Sequence, residues 1–307
     1  MNNITNKYKY LINKAPESLF LKQLIIPGYK NECNNVITFS FSDIDLDKQY
    51  VNLIDQIKES IGKNFFPVVR VSDGEFNLLL GDQPPGPWWP FFTRIRKRLG
   101  LIKRKFIKSK SFSNAVYSGN NSIDISEIHS IRNSAISGLK FILETGILAT
   151  HLSLTVKPFQ ADYILPFFRL LDDNNIKFTE LNIVPFYFIY PMVISNYGDV
   201  LFEGNSVLLI HSAKGERKRR IINAVESRGC KKVSWLAISH NKTFNDRMEF
   251  NDLIGQVDIA FIGAGVAKLV LMEQLSILKI PVVDIGFVFE VWNNPSLSIE
   301  RPFCKIV

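Results

Sequence analysis

The stretch from Val257 to Gly286 reads VDIAFIGAGVAKLVLMEQLSILKIPVVDIG and contains a complete strand-helix-strand pattern. Asp258 to Ile262 (DIAFI) is a short apolar run with β-branched residues, the pattern of a buried strand. Ala267 to Leu278 has the length of a helix, and Pro281 to Ile285 (PVVDI) reads as the next strand. The first strand meets the helix at Gly263-Ala264-Gly265-Val266-Ala267-Lys268. Glycine lets the backbone approach a ligand there, and a helix start offers unpaired N–H groups to an anion. Asp284 lies 19 residues beyond Gly265, at the end of the second strand, where a dinucleotide fold places its ribose-binding acid. The third glycine of that fingerprint is absent, and Lys268 stands in its place.

The same alternation extends upstream. Ser206 to Ile210 (SVLLI) reads as a strand, Glu216 to Arg228 as a helix that Gly229 stops, and Val233 to Ile238 as another strand. The turn between the first two, His211-Ser212-Ala213-Lys214-Gly215, has a hydroxyl, a cation and helix amides suited to a phosphate or a sugar hydroxyl. Repeated units of this kind predict an α/β fold: a Rossmann-like, mostly parallel sheet flanked by helices, with ligands held at the strands' carboxyl ends. From about Ile123 to Tyr197 the helical and aromatic segments cannot be ordered by periodicity. His151 and His240 have no partner at ligand spacing and read as ordinary structural histidines.

Nearer the start, Val51, Leu53, Ile54, Ile57 and Ile61 recur at helical spacing up to Gly62. The strand PVVRV follows and runs directly into Ser72-Asp73-Gly74-Glu75 and a second apolar helical stretch. Two carboxylates at i and i+2, separated by glycine at a strand end, can turn towards one point. Mg²⁺ or Mn²⁺ is commonly held by one or two such carboxylates plus substrate phosphates, and Arg70 nearby can offer a fork to a phosphate. Asp-Gly is also ordinary turn chemistry, so this motif alone does not identify a site. Residues 1–45, rich in Asn and Lys, are expected to form an arm packed on a single α/β domain spanning 46–307.

Net charge narrows the class of partner. The chain has 37 Lys and Arg against 29 Asp and Glu, a formal charge of +8. Between Asp82 and Asp124 there is no acidic residue, while Arg94, Arg96, Lys97, Arg98, Lys103, Arg104, Lys105, Lys108 and Lys110 all fall there. Without those nine, 28 basic residues face 29 acidic ones, so the excess belongs to one segment. Trp88, Trp89, Phe91 and Phe92 precede it in the irregular loop PPGPWWPFF. Aromatic and cationic residues interleaved in this way suit an anionic membrane surface through 88–110, or single-stranded nucleic acid.

A chain that is 46 % hydrophobic and 21 % charged can build a large core, which excludes disorder as a whole-chain description. Cys33, Cys230 and Cys304 are isolated and suggest neither a disulfide framework nor a zinc site. The opening residues are polar, and the most apolar windows are broken by Asp258, Lys268 or Glu273. The expectation is a cytoplasmic protein, peripheral at the inner membrane at most. Neither GxSxG nor GxxxxGK[ST] occurs.

Arg70-Val71-Ser72-Asp73-Gly74-Glu75 together with the block ending Asp284-Ile285-Gly286 resembles the GT-D-fold glycosyltransferases, formerly a domain family of unknown function. That family has an Arg-Phe-Gly-Asp-Gly-Glu-like element near its start. It also has a Leu-Gly-Pro-Thr-Ala-Lys-x-Leu-like loop followed by Asp-Ile-Gly. The resemblance covers about Val68 to Leu80 and Ser206 to Trp292. Ser72 replaces the usual Gly, and Phe287 stands where His commonly follows.

The resemblance implies a GT-D-type fold and a DxE motif at Asp73 and Glu75 that holds Mn²⁺ or Mg²⁺ beside a nucleotide-sugar donor. Asp73, Glu75 and Asp284 are then the expected catalytic residues; the general base is left open, with Asp284 as its candidate. Arg70, Ser72, Gly74, His211, Ser212, Lys214, Gly263, Gly265 and Lys268 are expected at the donor. The acceptor would be a glycan or a lipid-linked saccharide in bacterial surface polysaccharide or glycoconjugate synthesis. Two other classes predict different behaviour: a dinucleotide-binding oxidoreductase using the Gly263 turn and Asp284, and a nucleic-acid module using the basic segment 94–110. Neither uses both motif blocks.

Overall fold

The computed structural model describes residues 46–80, 127–150 and 158–298, except 180, 195 and 241. The expected arm at 1–45, the Pro84 to Phe92 loop, the basic segment 94–110 and His151 lie outside them. The described chain alternates strand and helix. Helix α1 (Leu46–Ser60) leads to β1 (Phe66–Val71) and α2 (Asp73–Leu80). The middle of the chain holds α3 (Ile128–Thr145), β2 (Ile147–Thr150), α4 (Pro158–Asp173), β3 (Ile183–Pro185) and α5 (Ile189–Ile194). The remainder is β4 (Ser206–His211), α6 (Gly215–Glu226), β5 (Lys232–Ala237), β6 (Ile259–Gly263), α7 (Lys268–Leu275), β7 (Pro281–Asp284) and α8 (Val288–Asn293).

The strands form one sheet in the order β3-β2-β1-β7-β6-β4-β5. Every pairing is parallel, so the sheet is wholly rather than mostly parallel. A parallel sheet has to be covered on both faces, and the strands alternate accordingly. Val69 and Val71, Ala260 and Ile262 point into one core; Val68, Ile259 and Phe261 point into the other. Helices α2, α3, α4 and α7 cover the first face, and α1, α5, α6 and α8 the second.

This division follows from crossover handedness. The chain steps from β1 out to β2 and β3, and from β6 to β7, in one direction along the sheet; it steps from β4 to β5 in the other. Right-handed crossovers therefore lay the intervening helices on opposite faces. At the middle of the sheet, β6 is followed by α7 on one face and β7 by α8 on the other, while α2 after β1 returns to the first. Where successive helices diverge, the strands' carboxyl ends border a crevice, the usual place for a ligand in an open parallel sheet.

Candidate functional site

Arg70 is the penultimate residue of β1, and Asp284 is the last of the neighbouring strand β7. Both are buried. The Arg70 backbone N–H donates to Asp284 Oδ2 at 3.2 Å, and its Nε donates to the Asp284 carbonyl oxygen at 2.9 Å and to Oδ2 at 3.2 Å. Nη2 reaches Oδ1 at 3.2 Å, and Nη1 donates to the Tyr190 hydroxyl at 2.8 Å. The guanidinium also lies over the rings of Tyr190 and Phe186, 5.1 and 5.4 Å from their centroids. Gly286 makes room for it: a Cβ there would fall 2.0 Å from Arg70 Nη2, and its φ of +42° disfavours other residues as well. This contact accounts physically for glycine in the closing Asp-Ile-Gly.

Asp284 also faces a second cation. Lys268, the first residue of α7, places Nζ 3.1 Å from Asp284 Oδ2 and 2.5 Å from Glu75 Oε1. Lys268 and Glu75 are buried like the other two. The other Glu75 oxygen, Oε2, accepts the Ser72 backbone N–H at 3.0 Å, and Phe76 N–H bonds the Ser72 carbonyl at 2.8 Å. Ser72-x-x-Glu75 is thus half of a capping box that starts α2. Helix α2 is held in turn by α4, where Phe76 packs on Tyr163 and Phe167 and the Tyr163 hydroxyl donates to Asn77 Oδ1 at 3.0 Å.

Four residues from the two motif blocks therefore meet in one chain, Arg70–Asp284–Lys268–Glu75, with two positive and two negative charges. Burial by itself would raise the Asp284 carboxyl; Arg70 and then Lys268 outweigh it and hold the group below the usual carboxylate range. Burial likewise opposes the Arg70 charge, but Asp284 and Tyr190 keep that guanidinium above its ordinary value.

This geometry bears on three expectations. Asp284 Oδ2 faces three donors and Oδ1 one, so the held carboxylate serves as the counter-ion of Arg70 and Lys268. A ribose hydroxyl would have to compete with these donors for Asp284. Arg70 directs Nε and Nη2 to Asp284 and Nη1 to Tyr190, so its first partners are within the protein.

The rest of the predicted site continues along the same sheet edge. Gly263 ends β6 in register with His211, the last residue of β4. A Cβ on Gly263 would lie 2.6 Å from the Phe289 ring and 2.8 Å from the His211 ring, so packing against these rings by itself requires glycine there. Gly265 is exposed and begins the single 3-10 turn that precedes α7. The His211 ring stacks on Phe289, with centroids 4.5 Å apart, and its Nδ1 accepts the Ala213 N–H at 3.1 Å. Burial, aided by Arg217 and His240, pushes His211 down to about 4. The ring is therefore neutral near pH 7, with its proton on Nε2. Ser212 Oγ lies 3.3 Å from His240 Nδ1, giving His240 a partner that spacing did not suggest. Lys214 is exposed at the start of α6.

The DxE motif requires a fit test for a divalent ion. Glu75, as held here, has an ammonium on one oxygen and a backbone N–H on the other. A dication at Glu75 would have to displace Lys268 from a buried pair. As placed, Glu75 is a partner for Lys268 and does not fit a divalent ion. Among the described residues, no group of three or more His, Cys, Asp or Glu side chains could hold a metal. Tyr190, Phe186 and Phe289 are site residues that sequence reasoning missed. The signal for Phe186 and Tyr190 is the aromatic run Phe186-Tyr187-Phe188-Ile189-Tyr190, which does not reveal that Tyr190 meets an arginine far back in the chain.

No protein-family model matches the chain, and no curated protein does. Two solved structures of the family that the motifs resemble do match it. One is a selenomethionine-substituted structure of domain of unknown function 1792, with 11 % identity and a TM-score of 0.43. The other, with 10 % identity and a TM-score of 0.46, is of the same domain, described as having a distinct glycosyltransferase fold. Each likeness covers 84 % of this chain and 88 % of the other. Likeness at this level leaves the chemistry to the residues of the site.

Proposed function

We propose that the chain is a glycosyltransferase that uses a nucleotide-sugar donor. The observation that carries this reading is the convergence of both motif blocks. Arg70 and Glu75, early in the chain, meet Lys268 and Asp284, late in it, at the crevice where helices diverge. Neither rival class explains that meeting.

In the transfer, the bond from the sugar's anomeric carbon to the phosphate oxygen breaks, and the nucleoside diphosphate leaves with the electron pair. The anomeric carbon bonds to the acceptor oxygen, and the acceptor's proton passes to a base. The buried cluster does not perform these steps. It fixes the ends of β1 and β7 and the starts of α2 and α7, and so shapes the floor of the crevice. Lys214, Ser212 and the Gly265 turn, on the solvent side, are the groups placed to approach a donor phosphate or hydroxyl. The acceptor class is a glycan or lipid-linked saccharide of a bacterial surface polymer, and the basic segment 94–110 would hold the enzyme at an anionic membrane.

A thermal-shift screen with nucleoside-diphosphate sugars, followed by donor hydrolysis assays on the hit, tests the reading. Stabilisation by one nucleotide family, with release of its diphosphate, is the expected result. A chain that no nucleotide sugar stabilises, and that binds NAD or flavin instead, would refute it.

A further inference from the structure

Lys268 Nζ bridges two carboxylates from different elements, Glu75 Oε1 at 2.5 Å and Asp284 Oδ2 at 3.1 Å, in a place closed to solvent. Bridging carboxylates on separate strands and helices is what a divalent cation does at a sugar-transfer site. Here an ammonium already does it. The four ionised groups balance, two against two, and each carboxylate oxygen of Glu75 is taken. A dication bound at Glu75 would either expel Lys268, leaving a buried ammonium without a partner, or sit beside it as a like charge in a dry site.

We propose that in this chain Lys268 does at Glu75 what a divalent ion would, so that Glu75 and Asp284 are a structural cradle for an ammonium and the donor binds without metal. The donor clause rests on the glycosyltransferase reading; the clause about Glu75 does not. Lys268 is thus a positioning residue, holding α2 and α7 at the crevice while exposed groups meet the ligand.

Two measurements on the full-length protein test this. In the first, Mn²⁺ alone is titrated into wild type and into Glu75→Gln, following the electron paramagnetic resonance signal of free Mn²⁺. Glutamine retains an oxygen for the Ser72 N–H, so the helix start survives. Equal signal loss in both proteins, or none in either, supports the proposal. A stoichiometric Mn²⁺ site in wild type that Glu75→Gln abolishes overturns it. Lys268→Arg, which keeps the charge, is expected to match wild type in the same titration.

In the second, thermal stabilisation by the nucleotide-sugar panel is compared in EDTA and in Mn²⁺. An unchanged shift supports metal-free binding, and a shift seen only with Mn²⁺ overturns it. If no nucleotide sugar binds under either condition, the transferase reading fails, and the Mn²⁺ titration still decides the role of Lys268.

Discussion

His211 closes β4 with its ring against Phe289 and a neutral imidazole, and that neutrality makes the fold sensitive to acid. An imidazole in an unfolded chain titrates near 6.5, whereas this one is pushed down to about 4. Between those values the unfolded state binds the extra proton and the folded state does not. Stability is therefore complete above about pH 6.5 and is lost as pH falls towards 4, by on the order of 3 kcal/mol. His211→Phe keeps the stack and removes the titration, so its urea midpoint should change much less than wild type's between pH 7 and pH 5. Parallel losses in the two proteins would contradict this account. Asp284 acts in a lower window. Its depressed carboxyl contributes stability above the ordinary Asp value near 3.9, and that contribution is lost as pH falls through its lower folded value. Of these single-residue properties, the sequence disclosed which residues matter but not their partners. Arg70 and Asp284 were read as groups offered to a ligand, and each is instead the other's counter-ion. Lone motifs do not reveal that, because a side chain's charge looks the same whether water, a substrate or another side chain faces it.

At the scale of elements, periodicity located the strands and helices between Ser206 and Asp284 to within a few residues, and it passed over the helix Val288–Asn293. It located them because a buried strand or a one-sided helix must carry its apolar residues at its own repeat. The expected face of α1 was off by one residue. Val51 was assigned to it but is 57 % exposed, whereas Tyr50, Leu53, Ile54 and Ile57 are buried. Tyrosine was passed over as a core residue, although its ring packs edge-on against Phe188. The consequence is measurable: Ile57→Ala should cost about 2–5 kcal/mol in chemical denaturation. Val51→Ala should stay within about 0.5 kcal/mol, as surface changes usually do. Equal costs would place α1 differently on the sheet. The start of α2 was misread in another way. Ser72-Asp73-Gly74-Glu75 was taken as a ligand turn, though its Ser-x-x-Glu spacing is also a capping signal that the sequence displayed openly. Two functions can be written in the same four residues, and only the bonds that form distinguish them.

For the whole molecule, the uneven charge leads to a prediction at a membrane. About 1 kcal/mol per cation near an anionic surface means that even half of the nine basic residues would tether the protein. Charge-neutral substitutions at Arg96, Lys97, Arg98, Lys103, Arg104 and Lys105 should release it from acidic vesicles in co-sedimentation, and unchanged binding would remove the membrane from its function. Among the described residues, no helix is long and apolar enough to cross a bilayer. The sequence alone determined the α/β class, most strand and helix positions in the second half, and the residues that gather at the sheet's carboxyl edge. All of these follow from local patterns of hydrophobicity, glycine and charge. The tertiary structure decided the strand order, the placing of helices on either face, and the meeting of Arg70, Glu75, Lys268 and Asp284 in one buried, neutral cluster. Those depend on which distant segments pack together, and burial turns that packing into chemistry: out of water a carboxylate needs a partner, and here Lys268 is the partner for Glu75.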